Sequence, residues 1–329
     1  MQKVETISSE RSAKFFRAIL DNIGWLILVV CIIVFSSTID GYSSAQNYIN
    51  IIHHSVFIGI LAIAECFCLI SGKIDLSIES IAAFSAIFSA WLCGTSTFAS
   101  GYLVNPFVGL LIVIIAGTLI GLFNALLIVK LRIDAFLVTL STYLIFRGVA
   151  TFVTGGKGVA GIPDSFRMID TIRPANIPLV VILMFILYII FQTILTNTKY
   201  GKHLFIIGGN ESAAYNFGIN VSKVIFITFV VSGALSAVSG WLIVARASGA
   251  TPAIAQGYLF EVLAAVVIGG VSLQGGVGSL VGVFAGVLIL GSIHTALNLL
   301  AISPFLTEII RGLLVLVAIL LDNIKKRFR

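Results

Sequence analysis

Ten apolar runs follow one another along the chain, at 24–39, 51–70, 76–93, 104–129, 135–153, 178–197, 224–246, 259–270, 280–301 and 305–321. An α-helix needs about 20 apolar residues to cross a bilayer, and most of the runs approach that length. In hydrocarbon every backbone N–H and C=O must be satisfied within the protein, so such runs are read as helices. Only 10% of the residues are charged and 59% are hydrophobic, whereas a soluble domain carries about 25% charged residues. That leaves too little polar surface to cover a water-soluble globule. The chain is therefore expected to be an all-α polytopic membrane protein with about ten transmembrane or partly spanning helices. The eighth run is too short to cross alone and is read as a broken or re-entrant segment. The first run follows Lys3, Arg11, Lys14 and Arg17, a layout shared with signal peptides. The long polar leader and the many later spans favour a retained first span.

Basic residues set orientation by collecting on the inner side. With the N-terminus inside and ten alternating segments, the inside holds Lys3, Arg11, Lys14, Arg17, Lys73, Lys130, Arg132, Lys199, Lys202, Lys223, Lys325, Lys326, Arg327 and Arg329. The outside holds Lys157, Arg167, Arg173 and Arg246. Fourteen against four places both termini in the cytoplasm. The domain reading is a cytoplasmic leader at 1–23, a transmembrane domain at 24–321 and a basic cytoplasmic tail at 322–329. Within it, 198–223 is a cytoplasmic loop and 154–177 an outward-facing loop.

The net charge of +6 is spread between apolar runs and forms no stripe, so no nucleic-acid partner is expected and the lipid bilayer is the surrounding medium. The four cysteines (Cys31, Cys66, Cys68, Cys93) lie in or beside apolar runs and read as small buried thiols. They lack the spacing and companion ligands of a metal site. No G-x-x-x-x-G-K-S/T loop occurs, so no P-loop nucleotide site is expected. No nucleophile–base pairing, H-E-x-x-H or paired acids on one helical face is present, and the chain does not read as an enzyme. A shift of 169 residues lays Ala116-Gly117 on Ala285-Gly286, Leu131 on Leu300, Ile133 on Ile302 and Phe136-Leu137 on Phe305-Leu306. Arg147-Gly148 and Arg311-Gly312 follow at unequal distances. A five-plus-five inverted repeat, common in transporters, would produce this pattern; chance matching of abundant apolar residues is the alternative.

One segment breaks the apolar pattern: Lys199–Val221, polar, basic and glycine-rich. Asn210 is placed as an N-cap and Glu211 suits the positive end of a helix dipole. Gly218 fits the left-handed C′ position. A two-turn helix over about 211–217 is expected, with Gly208-Gly209 as a tight, adaptable entry. A helix so short is marginal alone and needs a docking surface. Either the loop folds back on its own membrane domain, or it is a rigid peg for a partner.

Four motifs in register carry a family resemblance. Tyr200-Gly201-Lys202 with Glu211-Ser212-Ala213-Ala214 and Gly218-Ile219-Asn220-Val221 resembles the coupling loop of sugar-type ABC importer permeases, the ribose, arabinose and autoinducer-2 branch. Ile74-Asp75-Leu76-Ser77 resembles that family's G-G-I-D-L-S segment. Ala135–Leu140 followed by Arg147-Gly148 resembles its P-F-x-x-T-L…R-G segment, and Val267–Gly278 its glycine-rich V-I-G-G-x-S-L segment. Cys68-Leu69, Gly156-Lys157 and Ala296–Phe305 are most similar to arabinose permeases. The chain departs from the pattern at Lys73 and Glu79, where glycine is usual, and at Leu259, Val277 and His294. The resemblance implies the transmembrane subunit of a binding-protein-dependent ABC importer in the bacterial inner (plasma) membrane, its 154–177 loop periplasmic, that brings a sugar, such as a pentose, into the cytoplasm. It implies as partners a cytoplasmic ABC ATPase, which binds the ATP and Mg, a periplasmic sugar-binding protein and a second permease copy, identical or not. The coupling residues are then Gly201, Gly208, Gly209, Asn210, Glu211, Ala213, Ala214 and Gly218. An ion-gradient-driven secondary transporter is the alternative, because inverted repeats and a broken segment fit it as well.

Charges at membrane depth cost roughly 2.5–3.5 kcal/mol each on insertion scales and mark cavities or partners. Glu65, Arg147, Glu261, Glu308 and Arg311 qualify. Glu308 and Arg311 are expected to satisfy each other at i,i+3. Translocation-path candidates are Glu261, Arg147, Asn124, His294 and Asn298, with Asn124 and Asn298 as interhelical hydrogen-bonding residues. Asp75 and Lys73 are expected at a solvated end. Gly269, Gly270, Gly275, Gly276 and Gly278 are expected to form a flexible segment permitting close backbone approach.

Overall fold

The ten apolar runs each become a helix, and the polar insert and outer loop add three more. The computed structural model describes residues 23–327. In chain order the helices are α1 (Ile23–Thr38), α2 (Ala45–Ile70), α3 (Ile78–Cys93), α4 (Pro106–Lys130), α5 (Ala135–Val153), α6 (Asp164–Thr171), α7 (Leu179–Asn197), α8 (Lys199–Gly209), α9 (Glu211–Asn216), α10 (Val221–Ala247), α11 (Tyr258–Ile268), α12 (Leu280–Leu299) and α13 (Pro304–Arg327). Among the described residues there is no strand, only an isolated antiparallel bridge between Val159 and Ala250. Side-chain oxygens accept from otherwise orphaned amides at several helix starts: Asn105 from Phe107, Asp134 from Phe136 and Asn220 from Lys223.

Six of these helices, α2, α4, α5, α7, α10 and α12, are long and apolar enough to cross a membrane. At 11 residues, α11 spans only about 16 Å, in keeping with a partial span. Helix α13 continues through Arg327, into the stretch read as a basic tail at 322–329. Residues 1–22 and 328–329, which hold nearly all of the expected leader and the end of the tail, lie outside the described residues.

Burial separates a central helix from peripheral ones. The most apolar window of α2 is 83% buried, against 22% for α5 and 28% for α7. Helix α2 packs on α3, α7, α8, α10, α11 and α12, while α10 packs on α2, α3 and most extensively on α4. On the periphery, Leu111, Ile115 and Leu119 of α4 and Leu144 and Ile145 of α5 are exposed, forming an apolar face suited to lipid.

Lipid tails are as apolar as leucine, so helices associate through close packing, and small residues set how close they come. Helices α4 and α10 meet where Gly117 faces Gly233. A Cβ on either glycine would overlap the carbonyl oxygen of the other, and a Cβ on Gly121 would overlap that of Phe229. Gly286 of α12 stands in the same relation to the Ala265 carbonyl of α11. The α1–α2 turn is pinned to α12 by a hydrogen bond between the Tyr42 and Ser292 hydroxyls.

Overpacking a filled core costs about 1–3 kcal/mol. Gly117→Leu is therefore expected to lower the thermal denaturation midpoint of the detergent-purified protein clearly, whereas Leu111→Ala on the exposed face leaves it nearly unchanged. Equal midpoints for the two variants would contradict the α4–α10 crossing.

Candidate coupling surface and polar chamber

Helix α2 runs the depth of the bundle, and a distinct polar feature sits at each end of it. At its C-terminal end lies the Lys199–Val221 segment. The Thr198 hydroxyl accepts from the Gly201 amide at 3.2 Å and starts α8. Tyr200 then shares a 2.8 Å hydrogen bond with Thr228 of α10 and stacks on Phe67 of α2 at 6.2 Å. Its burial pushes the phenol pKa up from the ordinary value. Gly208-Gly209, read as a tight entry to the short helix, form the last turn of α8, whose N-cap at Thr198 was not recognised in the sequence.

Gly208 is where three segments touch through backbone alone. A Cβ there would overlap the Ile70 carbonyl oxygen and crowd the Gly276 nitrogen. The Gly276 amide donates to that same Ile70 carbonyl at 2.9 Å. Gly275 lies against Gly72, and Gly276 against Gly209. The glycine segment 269–278 is thus a packed turn: Ser272 donates its amide to the Val277 carbonyl at 3.0 Å, Gly278 sits on the Ile70 side chain, and Gly269 lies against Gly282 of α12. Gly270, Gly275 and Gly276 have φ of 95°, 88° and 72°, a region that side chains disfavour.

Beyond this joint, Asn210 caps α9 by accepting from the Ala213 amide at 2.9 Å, and Gly218 closes it with φ 75°. Ala214 is fully buried, while Tyr215 and Phe217 are 75% and 81% exposed. Glu211 is paired with Lys73 at 3.0 Å, so α9 is tied by charge to the α2–α3 turn that α8 meets through backbone.

That turn carries a buried polar chain, which corrects the expectation that Asp75 is solvated. Asp75 is 1% exposed. Its amide donates to the Glu65 carboxylate at 3.3 Å, and its own carboxylate accepts from the Ser77 hydroxyl at 2.5 Å and the Ser232 hydroxyl at 2.7 Å. The Asn124 amide donates to Ser77 at 3.0 Å, and the Asn124 carbonyl accepts from Thr142 at 2.6 Å. Asn124 thereby joins α4 to α5 and to the α2–α3 turn.

At the other end of α2, His53 is paired with Asp170 of α6 at 2.6 Å. Phe166 of α6 stacks on Trp241 of α10 at 4.7 Å. Beside this latch is a cavity of about 360 Å³ lined by His54, Arg246, Tyr258, Glu261, His294 and Arg311, with Phe57, Ile58, Ile243 and Leu290 as its apolar wall. Glu261 lies 2.6 Å from Arg311. The expected Glu308–Arg311 pair is therefore corrected: Arg311 turns to Glu261, and Glu308 is exposed. Arg246 donates to His54 at 3.2 Å, and the His54 and His294 rings are 5.2 Å apart.

Of the five path candidates, the chamber brings together Glu261 and His294. Asn298 bonds His294 at 3.1 Å on its own helix and is exposed, which corrects the interhelical expectation. Arg147 donates to the Ile254 carbonyl at 2.9 Å in the α10–α11 connection, and Asn124 belongs to the Asp75 chain. Sequence reasoning missed His54, Arg246 and Tyr258. The tandem His53-His54 at the start of a span was the available signal.

Residues 47–319 match the family model described as branched-chain amino acid transport system / permease component. The chain belongs to this permease family. Similar proteins include the ribose import permease protein RbsC of Haemophilus influenzae, 33% identical over 93% of this chain and 94% of its own. The L-arabinose transport system permease protein AraH of Escherichia coli is 34% identical over 99% and 98%, and the probable ABC transporter permease protein YphD of the same organism is 33% identical over 92% and 89%. No solved structure matches. The chain is a multi-pass membrane permease, a translocation component in kind.

In this permease the backbone joint separates two neighbouring glycines. A Cβ on Gly208 meets backbone, whereas one on Gly209 meets open space. Gly208→Ala is expected to lower the thermal midpoint, with a cost of about 1–3 kcal/mol. Gly209→Ala is expected to leave it unchanged or raise it slightly, since alanine is the better helix former by up to about 1 kcal/mol. The reverse order would contradict the joint.

Proposed function

We propose that this permease is the transmembrane subunit of an ABC importer that carries a sugar, a monosaccharide such as a pentose, into the cytoplasm. ATP and Mg are bound by a separate cytoplasmic ATPase. A periplasmic sugar-binding protein delivers the substrate, and a second permease copy completes the path. The reading rests on the family membership and on relatives named for ribose and arabinose import. The observation that carries the coupling mechanism is the α8–α9 element, which exposes Tyr215 and Phe217 while its other side is held by backbone on α2 and the 269–278 turn. Exposed aromatics on a rigid element are effective anchors for a partner. A push on α9 reaches α2 and α12 without passing through a compressible side chain. Ala214, being buried, serves α9's own packing; Tyr215 and Phe217 are the partner contacts.

Tyr215→Ala combined with Phe217→Ala is expected to reduce ATP-driven sugar uptake in proteoliposomes at least ~10-fold, as loss of interface anchors worth 1.4 kcal/mol or more requires. The protein should keep its thermal midpoint. Full uptake by this variant would refute the coupling assignment. Uptake that survives ATP depletion but collapses with an ionophore would support the ion-gradient alternative.

The orientation has its own test. Alkaline phosphatase, active only outside the cytoplasm, is expected to work when fused after Arg173 and to fail when fused after Lys202. The opposite pattern would invert the topology.

A further inference from the structure

The chamber has more chemistry than a passage requires. Its lining residues come from five helices: His54 from α2, Arg246 from α10, Tyr258 and Glu261 from α11, His294 from α12 and Arg311 from α13. One of the lining groups has an open hydrogen-bonding position: the Arg246 Nη1 is buried without a hydrogen-bond partner. Glu261 is 8% exposed, and its Oε1 is paired with the Arg311 Nε at 2.6 Å. A buried polar atom left unsatisfied costs about 1–3 kcal/mol, so a native protein that keeps one beside a cavity has a use for it.

The chemistry of these groups narrows the ligand. The Arg246 guanidinium donates, and the Glu261 carboxylate accepts. Each histidine ring can do both. A sugar hydroxyl also donates and accepts, so a polyol matches an interleaved set of this kind, while a purely accepting anion or a purely donating cation matches half of it. Arg311 is neutralised by Glu261, which leaves Arg246 as the unmatched charge among the lining groups. The Phe57 ring and Leu290 supply an apolar wall on the same cavity, the usual background for a few placed polar groups. Its volume, about 360 Å³, is at the small end of ligand pockets, which run from about 300 to 1,000 Å³.

We infer that this chamber is a saturable binding subsite, inside the permease itself, for an uncharged monosaccharide, with Arg246 donating to and Glu261 accepting from its hydroxyls. Substrate choice is then exercised twice, first by the soluble binding protein and again within the membrane. The inference rests on the sugar-import reading above.

The test is saturation-transfer difference NMR on the permease–ATPase complex in nanodiscs, without binding protein, using D-ribose and L-arabinose as probes. At least one is expected to give a saturable signal in the millimolar range. Arg246→Gln, Glu261→Gln and His54→Gln are each expected to weaken that signal about tenfold. Leu111→Ala, on the exposed face of α4, leaves it unchanged. Equal signals in wild type and all three chamber variants, or no saturable signal for either sugar, would overturn the subsite. A saturable signal for D-galacturonate in the absence of one for the neutral sugars would overturn the assignment of an uncharged ligand. If a variant does not assemble, the two others carry the comparison, with gel filtration and basal ATP hydrolysis as folding controls. Uptake by the complete assembly with its binding protein separates the two levels. If no sugar is taken up, the sugar-import reading fails. If uptake proceeds while binding is absent or insensitive to the variants, only the subsite fails.

Discussion

The structure is organised by a helix that has nowhere to move alone. Helix α2 is enclosed by six others and crosses the whole bundle. Its C-terminal carbonyl at Ile70 takes the Gly276 amide, and its N-terminal third presents His53 to α6 and His54 to the chamber. The rise from His54 to Ile70 is about 24 Å at 1.5 Å per residue. A helix of that length with satisfied internal hydrogen bonds transmits a displacement as a unit, so what happens at one end is felt at the other.

The polar groups follow a division of labour imposed by the solvent. In a hydrocarbon medium, an unpaired carboxylate is costly. Asp75 meets this by accepting two hydroxyls and one amide, including its neighbour Ser77, and it locks the turn between α2 and α3. The chamber meets it differently. Glu261 is countered by the charge of Arg311, while the Arg246 Nη1 in the same chamber keeps no hydrogen-bond partner. One cluster is closed and structural, the other is incomplete, and the difference lies in satisfied valence rather than in residue type.

Much of the fold was legible in the sequence. Every apolar run became a helix, because period and length are set by bilayer thickness and by the backbone's need for internal partners. The cap at Asn210 and the stop at Gly218 were readable, since local chemistry decides them. Long-range pairing was not. Arg311 is three residues from Glu308, a spacing that favours a local pair, yet it reaches Glu261, 50 positions away in sequence, because α11 packs on α13. Asp75 looked terminal because its run boundaries were polar, and nothing in the order of residues announced that Ser232 of α10 would cover it. Likewise α8 was hidden, its short apolar face being interrupted by glycines whose role depends on two other segments.

The Gly208 joint has an evolutionary corollary. Its contacts are main-chain atoms, and main-chain atoms are the same in every residue. Drift in the surrounding side chains therefore leaves its geometry alone, while the chamber, built wholly of side chains, is free to be rewritten one residue at a time. A permease with this division can acquire a new cargo without renegotiating how it is driven.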